Sequence, residues 1–84
     1  MIRLRYFASL REALGDADTI DLPAPALTVG ALRDSLIARG GAHSRALARE
    51  RAVRCAVNQV MAGDDSMPVP ADAEVAFFPP VTGG

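Results

Sequence analysis

The segment from residue 28 to residue 41 carries the longest helical pattern in the chain, and this pattern limits the available folds. Thr28 can cap its start, and Gly40–Gly41 can end it. Between them, apolar residues recur on one helical face: Val29, Leu32, Leu36 and Ile37. A chain of 84 residues can bury one core and no more. The sequence therefore predicts one main helix that packs against the rest of a single domain.

Short segments with the alternation typical of strands lie on both sides of this helix. They are IRLRYFAS, DTIDLP, AVRCAVN with its continuation QVMAG, and EVAFF. In the first, one face holds Ile2, Leu4, Tyr6 and Ala8, and the other holds Arg3, Arg5 and Phe7. A short helix is expected over SLREALG, with Ser9 and Glu12 as a capping box and Gly15 at its end, and a further helical turn capped by Ser44. The order predicts a mixed α+β domain over residues 1–78.

The composition argues against several classes of function. All nine basic residues are arginines and the net charge is −1, so no electrostatic case exists for nucleic acid or an anionic membrane. The first residues lack the apolar core of a signal peptide, and no run of about 20 apolar residues could span a membrane. A cytoplasmic protein is therefore expected. A single cysteine allows neither an intrachain disulfide nor a Cys/His metal site.

The internal residues offer no catalytic constellation. Cys55 alternates with Val53 and Val57, which predicts a buried structural thiol. His43 stands without a second ligand or a nucleophile and is interpreted as a surface residue. Asp64–Asp65 is interpreted as a turn and not as a metal site, because no further carboxylates follow at ligand spacing.

Two aromatic residues break the alternation of their strands. Phe7 and Phe78 each fall on the face opposite the core set, and Met61 lies in a third short strand. Together they could form one exposed apolar patch, which is typical of a partner-binding surface. The alternative is that a loop covers this face.

The last six residues, 79–84, are expected to form an extended tail. Pro79 and Pro80 cannot donate to a sheet ladder, so the last strand must end before them and leave extended. The tail continues with Val81 and Thr82 and finishes on Gly83 and Gly84, which have no side chain and could enter a narrow slot. One interpretation is a frayed terminus. The other is a carboxylate on a stalk that is threaded into another protein's active site.

The stretches EVAFFPPVTGG, IRLRYFASLRE and AVNQ resemble, in order and at matching spacing, the molybdopterin synthase small-subunit family of ubiquitin-like sulfur carriers. This resemblance implies a β-grasp fold, in which a small sheet wraps one helix and the first and last strands are parallel neighbours. It would also place Phe7 and Phe78 side by side on the outer face of the sheet. The large synthase subunit is then the expected partner at Phe7, Met61, Phe78 and the tail, in a heterotetramer of two small and two large subunits.

The family chemistry implies a role for the carboxylate of Gly84. An E1-like adenylating enzyme would use ATP and Mg²⁺ to form an acyl-adenylate, and a sulfur donor would replace AMP to leave a thiocarboxylate. The large subunit would pass that sulfur to the cyclic pyranopterin precursor. This chain would bind no cofactor itself and would act as a carrier and not as the catalyst. Three alternatives stay open: a protein modifier that forms isopeptides, a thiamine-pathway sulfur carrier, and an interaction module with an inert tail.

Overall fold

A computed structural model describes residues 1–21 and 27–80 of the chain. In chain order its elements are β1 (Ile2–Tyr6), α1 (Ala8–Leu14), β2 (Ala17–Ile20), α2 (Val29–Ile37), α3 (Gly41–Ala46), β3 (Arg54–Val57), β4 (Val60–Met61) and β5 (Glu74–Phe78). The strands form one sheet in the order β2-β1-β5-β3-β4. β1 and β5 are parallel, and the other neighbours are antiparallel. The predicted α+β architecture is confirmed, as is the parallel pairing of the first and last strands.

One face of this sheet and the longest helix enclose the core. Alternate residues of β1, β3 and β5 point inward because side chains alternate along a strand. The helix α2 buries the residues that share its apolar face. The buried apolar residues of these elements are Ile2, Leu4, Tyr6, Val29, Leu32, Leu36, Cys55, Val57, Val75 and Phe77. The core predicted from period 2 in the strands and period 3.6 in the helix is therefore confirmed, except that Ala8 is exposed at the start of α1 and that Ile37 and Val53 are only partly buried.

The start of α2 is capped as predicted and is held by the segment after β4. The Oγ1 atom of Thr28 accepts a hydrogen bond from the N–H of Ala31 at 3.2 Å. The N–H of Gly30 donates to the carbonyl of Asp65 at 3.0 Å, and a Cβ atom on Gly30 would lie 2.9 Å from the Cβ of Asp65. Arg49 binds the carboxylate of Asp65 and donates to the carbonyl of Gly30 at 3.1 Å. The Asp64–Asp65 turn is confirmed, and its second carboxylate ties the turn to the helix.

Arg33 is a buried charge that organises the segment between α3 and β3. Its Nε atom donates to the carbonyl of Leu47 at 2.7 Å, and its Nη2 atom donates to the carbonyls of Ala48 and Arg51 at 2.6 and 3.0 Å. Three carbonyl acceptors replace part of the water that the guanidinium loses on burial. Arg33 therefore links the central helix to the approach of β3.

Two of the predicted helix caps are wrong. Helix α1 begins at Ala8 after Phe7, and Ser9 lies inside it, so the Ser9–Glu12 capping box does not form. Ala8 leaves the strand with a φ of +53°, which turns the chain before Ser9 can act as a cap. Helix α3 begins at Gly41 after Gly40, so Ser44 is likewise an internal residue. The predicted end of α1 is confirmed, since Gly15 has a φ of +93° and donates to the carbonyl of Arg11 at 2.8 Å.

The interpretation of His43 as a surface residue is also wrong. Its side chain is only 22% exposed and lies edge-on to the ring of Tyr6, with centroids 6.4 Å apart. Its Nε2 atom is 3.7 Å from a carboxylate oxygen of Asp18, which also binds Arg39. His43 therefore helps to pack α3 against β1 and β2, a tertiary contact that the local sequence does not reveal.

Candidate functional site

The predicted tail begins at the C-terminal end of the central strand of the sheet. β5 pairs with β1 on one side and β3 on the other, so it is the central strand. Since β1 and β5 are parallel, their C-terminal ends lie at the same end of the sheet. Pro79 and Pro80 follow β5 there and are half-buried. Any segment that continues beyond Pro80 therefore starts next to the end of β1 and the residues that follow it.

The two phenylalanines at the end of β5 point to opposite faces. Phe77 is 1% exposed and stacks on Tyr6, with ring centroids 6.2 Å apart and an angle of 21° between the planes. Phe78, one residue on, points to the outer face and is half-buried. The ring of Phe77 anchors the base of the tail in the core, and Phe78 becomes part of the surface around it.

The outer face carries the apolar patch, defined here as Phe7, Met61 and Phe78. Phe7 is 42% exposed and Met61 50%. The N–H of Phe7 donates to the carbonyl of Phe77 at 3.2 Å, which carries the β1–β5 ladder one residue further. Met61 and Phe78 line one shallow depression together with Arg54 and Pro80. The structure thus brings Phe7 beside Phe78, and Met61 beside Phe78, although Phe78 is less exposed than the sequence suggested.

Two arginines of this face lie beside the apolar patch, and the sequence analysis did not identify them as candidate site residues. Arg5 lies opposite Ala76 on β5, and its guanidinium carbon is 5.8 Å from the centroid of the Phe7 ring. Arg54 lies opposite Phe78 on the other side of β5. The alternation of β1 already placed Arg5 on the face of Phe7. The position of Arg54 depends on the order β1-β5-β3, which no local pattern gives.

The thiol of Cys55 is not positioned for chemistry. Cys55 is 7% exposed, and burial, followed by the nearby Asp65 carboxylate, raises its pKa to about 12. Arg33 opposes this shift and does not reverse it. The thiol is therefore protonated at neutral pH, and the prediction of a buried cysteine is confirmed.

Within residues 1–21 and 27–80, no group of three or more His, Cys, Asp or Glu side chains could hold a metal ion. The helices of this described part are all too short or too polar to cross a membrane. The predicted tail residues Val81, Thr82, Gly83 and Gly84 lie outside the described residues. What the described part offers is an exposed apolar patch beside the residues where the predicted tail begins, Pro79 and Pro80.

A five-stranded mixed sheet around one main helix, with the tail leaving its central strand, defines a protein of the ubiquitin-like β-grasp class. The model of the ThiS family matches residues 4–84, and the chain belongs to this family. It is 40% identical to the molybdopterin synthase sulfur carrier subunit of Escherichia coli (strain K12) and 37% identical to that of Haemophilus influenzae. Both alignments cover all of this chain and all of the relative. The family and the function predicted from the sequence are thereby supported by two full-length relatives.

Solved structures agree on the fold. SAMP1 from Haloferax volcanii has a TM-score of 0.75 at 27% identity and covers 99% of this chain and 98% of its own. A Pyrococcus furiosus protein proposed to be molybdopterin converting factor subunit 1 has a TM-score of 0.77 at 25% identity, with coverages of 95% and 97%. A complex of subunits 1 and 2 of the molybdopterin-converting factor from Helicobacter pylori matches with a TM-score of 0.65 at 20% identity, covering 99% and 97%. The β-grasp prediction is confirmed.

Proposed function

We propose that this chain is the sulfur carrier subunit of molybdopterin synthase. The observation that carries the proposal is the apolar patch beside the half-buried Pro79 and Pro80, at the end of the central strand. This arrangement lets a partner hold the domain by one face while it receives the segment that leaves the same edge. The two relatives of equal length that are named as this subunit support the assignment.

The proposed chemistry takes place at the carboxylate of Gly84. In a partner adenylating enzyme, a carboxylate oxygen attacks the α-phosphorus of ATP, pyrophosphate leaves, and an acyl-adenylate forms. A donor protein supplies sulfur as sulfide (HS⁻), which attacks the acyl carbon; the bond from that carbon to AMP breaks, AMP leaves, and a thiocarboxylate remains. In the large subunit this sulfur is transferred to the cyclic pyranopterin precursor, and two transfers complete the dithiolene of molybdopterin. ATP and Mg²⁺ belong to the partner, and this chain supplies the sulfur, the reach of residues 79–84 and the docking face.

The large subunit is the proposed partner for the apolar patch. The Helicobacter pylori structure is a complex of the two subunits, and its small subunit has the same fold as this chain. An exposed apolar patch next to the base of a tail fits a partner that covers the patch and admits the tail. We propose a heterotetramer of two small and two large subunits in the cytoplasm, with Phe7, Met61, Phe78 and the tail residues 79–83 in the interface.

A second function is favoured by one specific observation. The Haloferax volcanii relative in structure is also described as small archaeal modifier protein 1, at a TM-score of 0.73 and 28% identity. A modifier would use the same activated carboxylate, with an amine as the nucleophile instead of a sulfur donor. The match to the ThiS family model is also compatible with a thiamine-pathway sulfur carrier, which would deliver its sulfur to a different acceptor.

Intact-mass measurement separates these functions. The chain is incubated with the adenylating enzyme, ATP and a sulfur source, and then with the large subunit and the pyranopterin precursor. We expect the mass change of one oxygen-to-sulfur exchange, which reverses when molybdopterin forms. Conjugates on other proteins would favour the modifier, and a thiocarboxylate that the large subunit cannot use would favour the thiamine-pathway carrier. A mass that never changes would refute all three and leave the inert interaction module.

A further inference from the structure

Arg5 and Arg54 flank the central strand on the face that carries the apolar patch. Arg5 stands opposite Ala76, and Arg54 stands opposite Phe78. Two strand spacings separate β1 from β3, and Ala76 and Phe78 are two residues apart along β5, so the backbones of the two arginines lie about 12 Å apart. They therefore stand on either side of the strand from which the tail starts.

Both arginines are without an acidic partner in the part of the chain that the structure describes. The ion pairs there involve Arg39, Arg49, His43 and the Met1 ammonium, and none involves Arg5 or Arg54. The Nε atom of Arg5 is buried, and it has no hydrogen-bond partner among residues 1–21 and 27–80. A guanidinium that has lost part of its water and has gained no acceptor is unfavourable unless a further group supplies one.

A third arginine of this face, Arg3, lies at the other end of the strand and can serve as a control for Arg5 and Arg54. Arg3 is two residues from Arg5 on the same strand and the same face, and it lies opposite Glu74. The Met1 ammonium and, to a smaller extent, Arg3 lower the pKa of Asp72. Arg3 forms no ion pair among the described residues either, but Glu74 opposite it in register and the nearby Asp72 place negative charge at that end of the sheet. In register with Arg5 and Arg54, by contrast, the described strands place no acidic residue, although the whole chain has a net charge of −1.

We infer that Arg5 and Arg54 bind carboxylates of the large subunit that border the entrance for the tail. The inference rests on the proposed function and adds the chemistry of the partner: an apolar surface for the patch, with acidic side chains on both sides. Guanidinium groups suit this task because they bind a carboxylate through two parallel hydrogen bonds and lose less hydration than an ammonium group. Like-charged partners would be rejected, so the pair also contributes specificity.

The test is the affinity for the large subunit of the same organism's synthase. Arg5→Gln and Arg54→Gln should each weaken binding about tenfold, and the double variant should weaken it about a hundredfold. Arg3→Gln is the matched control and should change the affinity less than about twofold. Raising the salt from about 50 mM to about 500 mM should weaken binding of the wild type more than binding of the double variant. Salt screens the ion pairs made by the two arginines, and the double variant has already lost those ion pairs.

Each outcome separates this inference from the proposed function. If the large subunit binds the wild type and both arginine variants equally at low salt, the inference is wrong while the carrier function stands. An equal loss in Arg3→Gln would also overturn it, since general positive charge would then explain the effect. If the wild type does not bind the large subunit, the proposed function itself fails. Thermal unfolding of each variant guards against misfolding, and the exposed Arg54 keeps the test valid should the half-buried Arg5 prove necessary for the fold.

Discussion

The apolar patch leads to a quantitative prediction for Phe7→Ala. Phe7 exposes 42% of its surface in the free chain, and a phenylalanine presents about 200 Å² when fully exposed. A partner that covers the ring would remove about 85 Å² from water, which at about 25 cal/mol per Å² is worth about 2 kcal/mol. The dissociation constant of the complex with the large subunit should therefore rise about thirtyfold.

The fold should survive this change, because the ring lies on the outer face and outside the core. The free energy of unfolding of Phe7→Ala is expected to stay within about 1 kcal/mol of the wild type, apart from the contact with Arg5. Isothermal titration calorimetry measures the affinity, and urea unfolding of the same samples measures the stability. Both are needed, since an unfolded carrier would also fail to bind.

Val60 supplies a matched control for the apolar patch. It is 58% exposed, more than Phe7, so exposed area alone would predict a similar loss for Val60→Ala. Val60 lies opposite Val57, whose side chain is in the core, so it points away from the outer face. Its substitution should leave the affinity unchanged. A loss of affinity in Val60→Ala equal to that in Phe7→Ala, or a Phe7→Ala variant that binds normally, would refute the assignment of the docking face.

Four further changes test the core, the tail and the ion pair between Arg39 and Asp18. Cys55→Ala should keep sulfur transfer and lose about 1–3 kcal/mol of stability in urea unfolding, and a folded variant without transfer would make the thiol a relay. Gly30→Ala should cost about 1–3 kcal/mol in the same assay, because a side chain there overlaps the segment after β4, and an unchanged midpoint would contradict this packing. Extending the chain by one residue after Gly84 should abolish thiocarboxylate formation at unchanged thermal stability, because it moves the carboxylate by about 3.5 Å; sulfur uptake without trimming would disprove the role of that carboxylate. Hydrogen bonds from the Thr19 N–H and Arg39 outweigh burial and lower the pKa of Asp18, so this contribution to stability is present at neutral pH and is lost as the pH falls below about 4. Arg39→Gln should therefore cost up to about 1 kcal/mol at pH 7 and little at low pH, and a pH-independent difference would argue against the pair.

Much of the fold could be predicted because its signals are local. Alternation in β1, β3 and β5 separates the core face from the outer face, and the apolar pattern that follows Thr28 gives the helix that covers the core, although this helix ends at Ile37, before Gly40 and Gly41. The failures occur where two local rules compete or where a contact is distant in sequence. Ser9 and Ser44 satisfy the rule for a cap, but the chain already turns at Ala8 and at Gly40.

The candidate site divides along the same line. Phe7 could be found from the sequence because the alternation of its strand places this apolar side chain on the face opposite the core. The pairing of Arg54 with Phe78 requires the strand order β1-β5-β3, which brings residues 24 positions apart into register. His43 shows the same limit, since Tyr6 and Asp18 reach it from strands that are distant in the chain.

The consecutive residues Phe77 and Phe78 couple the core of this protein to the outer face that carries the apolar patch. Because side chains alternate along β5, burying Phe77 against Tyr6 forces Phe78 to the outer face, next to Pro79. The position of Pro79, where the predicted tail begins, therefore depends on the packing of the core. A change at Phe77 would create a cavity costing about 3–5 kcal/mol, so a loss of sulfur transfer there would report unfolding. A change at Phe78 removes surface and leaves the anchor in place, so of these two neighbouring positions only Phe78 can separate recognition of the partner from stability of the fold.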